Sequence, residues 1–149
     1  MKKLSALALS LVLMFSLVGC GGKADSASAD NAPMQYMTSQ ELSDVLGNED
    51  YVILDVRKAA DFEEAHIPGA VSADMDAAVN GDTQAGLDTM TKATEGMDEN
   101  LVLVCYSGKS YAQASTNALK EAGYDMSKVY TLEGGMKSWN QDFADKIEK

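Results

Sequence analysis

The amino-acid sequence predicts an α/β domain, a central parallel sheet with helices on both faces, and three observations carry that expectation. Tyr51-Val52-Ile53-Leu54 and Leu101-Val102-Leu103-Val104 are unbroken apolar runs. A strand with one wet face alternates, so an unbroken run marks burial on both faces, as in parallel sheets. Between such runs lie segments of helical period: Tyr111, Ala114, Ala118, Leu119 and Ala122 recur on one helical face until Gly123. Strands that alternate with helices close into a sheet covered on both sides, with any ligand expected at the carboxyl ends of the strands.

The elements follow in order. Thr38 and Glu41 form a capping box, and Leu42, Val45 and Leu46 follow at helical spacing, so a helix is expected from Ser39 to Leu46. The Tyr51 run comes next. The polar stretch from Arg57 to Glu64 suits a short helix, Ile67-Pro68-Gly69 breaks it, and Ala70-Val71-Ser72 forms a brief strand. Ala73 to Asn100 carries little signal beyond Leu87 and Met90 on one helical face. After the Leu101 strand and the helix that follows, Val129-Tyr130-Thr131-Leu132 is a further strand, Gly134-Gly135 a tight turn, and Met136 to Ile147 a closing helix that places Trp139 in the core.

A chain of 149 residues with 46% hydrophobic and 23% charged residues has room for one ordinary domain. Its first residues stand apart from it. Met1-Lys2-Lys3 is basic, Leu4 to Val18 is uncharged and largely apolar, and Leu17-Val18-Gly19-Cys20 follows. The run falls short of the roughly 20 apolar residues of a bilayer span and ends in small residues, which reads as an export signal. The tetrapeptide resembles the lipobox of bacterial lipoproteins, in which the cysteine is acylated. The expected organisation is therefore a signal over residues 1–19, lipidated Cys20 and a flexible tether over 20–34, and the folded domain over 35–147. That organisation implies an extracytoplasmic protein held on the cell membrane by lipid.

A formal net charge of -11 argues against nucleic acid or an anionic membrane surface as the main partner. With 2 cysteines and one of them assigned to lipid, Cys105 has no partner for a disulfide. An unpaired thiol in an exported protein is either inert and buried or kept for its reactivity. One histidine and one free cysteine leave no zinc spacing, and no glycine-rich nucleotide fingerprint is present.

The stretch that carries chemistry is Cys105-Tyr106-Ser107-Gly108-Lys109-Ser110, between a buried strand and the start of a helix. Successive amides in such a turn form an anion-binding nest, and the helix start adds partial positive charge. Those surroundings favour a thiolate, the form that attacks. Gly108 lets the backbone curl, Lys109 offers a cation to an anionic substrate, and Ser107 and Ser110 offer hydroxyl donors. The bland alternative is a cysteine that merely ends a core strand.

CYSGKS resembles the active-site loop of the rhodanese family. Asp55-Val56-Arg57, His66-Ile67-Pro68-Gly69-Ala70 and Leu132-Glu133-Gly134-Gly135-Met136 with Trp139 resemble further family segments in the right order, so the likeness runs from Gln35 to Phe143. It implies a single rhodanese-like domain and a sulfurtransferase in which Cys105 takes sulfane sulfur from thiosulfate or polysulfide as a persulfide. The sulfur then passes to a thiol or cyanide acceptor, without cofactor or metal. It also implies that Tyr106, Ser107, Gly108, Lys109 and Ser110 hold the persulfide. Asp55 and Arg57 are read as braces for the loop, with Asp61 or Glu63 as a competing ion-pair partner for Arg57, and His66 as a turn-fixing residue.

This chain departs from the commonest family pattern: the loop has Lys109 where many members carry arginine, Ala65 replaces a glycine, and the domain is acidic. A lone ammonium grips an oxyanion less specifically than a guanidinium fork, so the departures bear on the donor more than on the nucleophile. A cysteine phosphatase would need an arginine where Tyr111 stands, and Arg57 is the only arginine in the chain. The remaining alternative is a sulfur-carrier or redox-partner binding module that does not turn over small molecules.

Overall fold

The computed structural model describes residues 31–149; the expected signal, Cys20 and most of the tether lie outside the described residues. No helix among the described residues is long and apolar enough to cross a membrane.

The sheet has five parallel strands in the order β1-β5-β4-β2-β3. They are β1 (Gln35–Met37), β2 (Tyr51–Asp55), β3 (Val71–Ser72), β4 (Asn100–Val104) and β5 (Val129–Leu132). The continuous runs occupy the middle, as double-sided burial requires: Ile53 pairs with Val102 and Leu103 with Thr131. The edges are short strands of three and two residues, which give period-two alternation too little length to register.

Helices α1 (Ser39–Asp44) and α6 (Gly135–Asp142) cover one face; α3 (Asp76–Val79), α4 (Thr83–Ala93) and α5 (Ser110–Ala122) cover the other. Alternation along β4 assigns its residues. Val102 and Val104 pack with Leu42, Met136 and Trp139, whereas Leu101, Leu103 and Cys105 pack with Met75, Met90, Ala112 and Leu119. Trp139 is fully buried, and its indole N–H donates to the Lys146 carbonyl at 2.9 Å, so a large apolar surface is buried with its polar atom satisfied.

The capping box of α1 is present: the Glu41 amide donates to Thr38 Oγ1, and the Thr38 amide donates to the Glu41 carboxylate. Several boundaries differ from the sequence expectation for identifiable reasons. α2 (Ala59–Glu64) starts after Arg57, because the Arg57 amide donates to Asp55 Oδ1 and holds that residue in a turn. α6 stops at Asp142 rather than Ile147. The chain there folds back so that Glu148 pairs with His66 through reciprocal backbone hydrogen bonds of 2.9 Å. The stretch of weak signal holds α3 and α4, which pack so closely that a Cβ on Gly86 would lie 2.6 Å from the Ala78 methyl. Asp82 caps α4 by accepting from the Ala85 amide.

Candidate active site

Cys105 follows the last residue of the central strand β4, is 2% exposed and is a free thiol. The chain then turns through Tyr106 to Lys109 and enters α5 at Ser110. Within this turn the Gly108 N–H donates to Cys105 Sγ at 3.1 Å, the one hydrogen bond to that sulfur among the described residues. Gly108 has φ +69°, a conformation that a β-carbon makes costly.

The turn is held from behind by the β5–α6 connection. The Met136 amide donates to the Cys105 carbonyl at 2.8 Å, and the Lys137 amide to the Tyr106 carbonyl at 3.2 Å. Amides at the start of α6 thus take the carbonyls of the loop, which keeps those partial negative charges off the sulfur. The contact requires bare backbone. A Cβ on Gly135, where φ is +58°, would lie 2.2 Å from the Cys105 carbonyl oxygen and 2.7 Å from the Ser107 nitrogen. On the opposite side of Gly108, a Cβ would lie 2.8 Å from the Leu132 carbonyl oxygen. The expected tight turn at Gly134-Gly135 is therefore the backing of the cysteine loop.

Beyond the loop, α5 runs for 13 residues with its N-terminus at Ser110, so the positive end of its dipole lies beside the turn. Lys109, Ser107 and Ser110 are exposed, and neither serine hydroxyl bonds to Sγ. Tyr106 turns away from the sulfur: its O–H donates to the Asp61 carboxylate on α2, with the Lys58 amide 3.4 Å from the same oxygen. Tyr111 donates to Asp76 on α3 at 2.6 Å. Both phenols are pushed above their ordinary range, Tyr106 first by burial and then by Asp61, Tyr111 first by its hydrogen bond to Asp76 and then by burial. The same bond to Tyr111 holds the Asp76 carboxyl below its usual value.

Asp55 and Arg57 form a buried pair under the loop. The guanidinium grips both carboxylate oxygens, with Nη2 2.6 Å from Oδ2 and Nε 2.9 Å from Oδ1. Nη2 also donates to the Ala65 carbonyl at 2.7 Å, and the guanidinium lies 5.9 Å from the Tyr106 ring centroid. Neither Asp61 nor Glu63 is the partner of Arg57: Asp61 is taken by Tyr106, and Asp55, the last residue of β2, meets the fork directly. His66 fixes its turn through Nδ1 and the Phe62 carbonyl, 2.9 Å apart, and through the backbone bridge to Glu148.

Residues 38–142 match the model of the rhodanese-like domain. The chain belongs to the rhodanese-like family. Among curated relatives, thiosulfate sulfurtransferase GlpE of Pseudoalteromonas translucida is 26% identical over 115 residues, covering 77% of this chain and 97% of the relative. GlpE of Pseudomonas savastanoi pv. phaseolicola is 31% identical, covering 71% and 88%. The putative sulfur carrier protein YrkF of Bacillus subtilis is 27% identical over 80% of this chain and 57% of its own length. Among solved structures, the rhodanese-like domain of an Anabaena protein superposes with a TM-score of 0.60 at 19% identity, covering 78% of this chain and 80% of that one. That likeness bears on the fold, and the central parallel sheet with helices on both faces agrees with it.

Asp61, Asp76 and Lys58 were not singled out as site residues by the sequence. The bonds of Asp61, Asp76 and Lys58 to the two tyrosines span 45, 35 and 48 residues, and nothing local signals them.

Proposed function

We propose that the protein is a sulfurtransferase in which Cys105 carries sulfane sulfur as a persulfide. The observation that carries this reading is the sulfur of Cys105 at the end of β4, under the Gly108 amide and beside the start of α5. An amide donor and a helix dipole both favour negative charge on sulfur, whether thiolate or persulfide anion. Likeness to thiosulfate sulfurtransferases supports the same chemistry.

In the forward half-reaction the Cys105 thiolate attacks the sulfane sulfur of thiosulfate, that S–S bond breaks, and sulfite leaves with the electron pair. With polysulfide, the leaving group is the shortened polysulfide. In the second half, cyanide or a thiolate attacks the outer sulfur, and Cys105 leaves as thiolate. Bond count and oxidation state balance without a cofactor. Tyr106, Ser107, Gly108, Lys109 and Ser110 form the wall of the turn in which the outer sulfur would lie, and Asp55 and Arg57 brace it from below. Lipid on Cys20 would hold the domain on the outer side of a membrane, within reach of a redox protein partner.

Intact-mass spectrometry of the purified protein after thiosulfate or polysulfide tests the reading. A gain of one sulfur in the native protein and none in Cys105→Ser is expected; no gain with either donor would end the proposal. The likeness to a putative sulfur carrier favours a second reading, loading without small-molecule turnover. A persulfide that forms but persists against cyanide and small thiols would select it.

A further inference from the structure

Cys105 is fixed by the strand that carries it, but the group that faces its sulfur is carried by the turn. Gly108, whose N–H donates to Sγ at 3.1 Å, stands three residues beyond Cys105. Whatever holds the turn therefore decides where that amide points, and a hydrogen bond weakens steeply as its angle closes. The main chain is held from α6, the Cys105 carbonyl by the Met136 amide and the Tyr106 carbonyl by the Lys137 amide. The side chains supply one tie. Of those from Tyr106 to Ser110, Tyr106 alone hydrogen-bonds to another element among the described residues. Its phenol donates to the Asp61 carboxylate on α2, and the Lys58 amide lies 3.4 Å from the phenol oxygen. The ring is bounded as well: the Arg57 guanidinium lies 5.9 Å from its centroid, and Tyr111 meets it edge to face at 5.2 Å. The helix that bears Asp61 is itself secured, because Arg57, paired with buried Asp55, also donates to the Ala65 carbonyl at the end of α2.

We infer that Tyr106 and Asp61 are positioning residues for sulfur transfer: by tying the turn to α2 they aim the Gly108 amide at Cys105 Sγ, and the phenol does not bind the donor. The inference rests on the sulfurtransferase reading. An amide aimed at Sγ favours the anionic sulfur that attacks and the persulfide anion that results, as donors to charged acceptors do. When the tie is lost, the sulfur stays at the end of β4 while the amide drifts from it. The donor meets the same exposed mouth in either case, so the pair acts on the transfer step and leaves binding unchanged.

The test follows single-turnover sulfur loading of the purified full-length protein with thiosulfate or polysulfide at rising concentrations, quenched and read by intact mass. Tyr106→Phe removes only the hydroxyl and leaves the ring against Arg57 and Tyr111. It should lower the saturated loading rate about threefold to tenfold, the rate equivalent of one ordinary hydrogen bond, at an unchanged half-saturating concentration. Asp61→Ala should lose the same factor, and Asp61→Asn, whose side-chain oxygen still accepts from the phenol, should recover most of it. Tyr106→Phe combined with Asp61→Ala should be no slower than either alone, because both substitutions remove one bond. If Asp61→Ala fails to fold, the rate and half-saturation of Tyr106→Phe decide the point. A Tyr106→Phe protein that loads at the parental rate would overturn the inference, as would losses that multiply in the double variant. A raised half-saturating concentration at full rate would make Tyr106 a donor-binding residue and overturn it too. Each of these outcomes leaves persulfide formation by the native protein intact; if the native protein gains no sulfur, this inference and the reading beneath it both fall.

Discussion

Replacing Gly135 with alanine should both destabilise the protein and displace its reactive loop. At φ +58° an L-residue costs about 1–2 kcal/mol more than glycine. The new Cβ would also lie 2.2 Å from the Cys105 carbonyl oxygen and 2.8 Å from the Tyr106 carbonyl carbon, and both are backbone atoms that no rotamer can move. Relief requires the cysteine turn and the start of α6 to separate. That separation stretches the bonds from the Met136 and Lys137 amides, each worth about 0.5–1.5 kcal/mol. Together these terms give about 2–5 kcal/mol. Urea denaturation reads the loss as a lower midpoint at unchanged slope. Persulfide loading at low temperature, where the variant is still folded, should fall further than the folded fraction does, because the amide over Sγ moves with the loop. A Gly135→Ala protein within 1 kcal/mol of the parent that loads sulfur normally would refute the claim that this contact shapes the turn.

Arg57→Ala should cost about 3–5 kcal/mol, because it leaves the fully buried Asp55 carboxylate without its counter-charge; an unchanged urea midpoint would show that the pair contributes nothing. The Asp76–Tyr111 bond should shape stability at both ends of the pH range. Asp76 titrates below its ordinary 3.8, so its contribution is present above that value and lost as pH falls through the depressed one. The Tyr111 phenol titrates above its ordinary 10.0, so its contribution is present below that value and lost as pH rises beyond it. Asp76→Asn should flatten the acid limb of a stability–pH curve and Tyr111→Phe the alkaline limb; limbs identical to those of the parent would exclude the linkage.

The middle of the sheet was legible because Leu101–Val104 and Tyr51–Leu54 lack any polar position, and only double-sided burial allows that. The same reasoning located Cys105, since a strand that ends in cysteine and leads into a helix leaves few places for the thiol. Less could be read where the deciding contact is distant. The partners of Tyr106 and Tyr111 come from other elements, and Arg57 stands among several acids, so only the position of Asp55 at the end of β2 selects the pair. The closing helix is shorter than the sequence predicts because Phe143 and Ile147 continue an apolar pattern that the chain uses instead for a return to His66. Within the loop, the expected ring of donors is reduced to one amide on Sγ, because Ser107 and Ser110 point to solvent.

The position of β4 has a consequence for how this site can change. Flanked on both edges by β5 and β2, it can open only when pairing on either side is lost, so its amides should exchange with solvent only through whole-domain unfolding. The carboxylates that hold the phenols of Tyr106 and Tyr111, by contrast, belong to α2 and α3, elements of six and four residues at the periphery. Local breathing and substitution there can proceed while the reactive atom keeps its place, so the rim and the reactive strand can be retuned separately in one small domain.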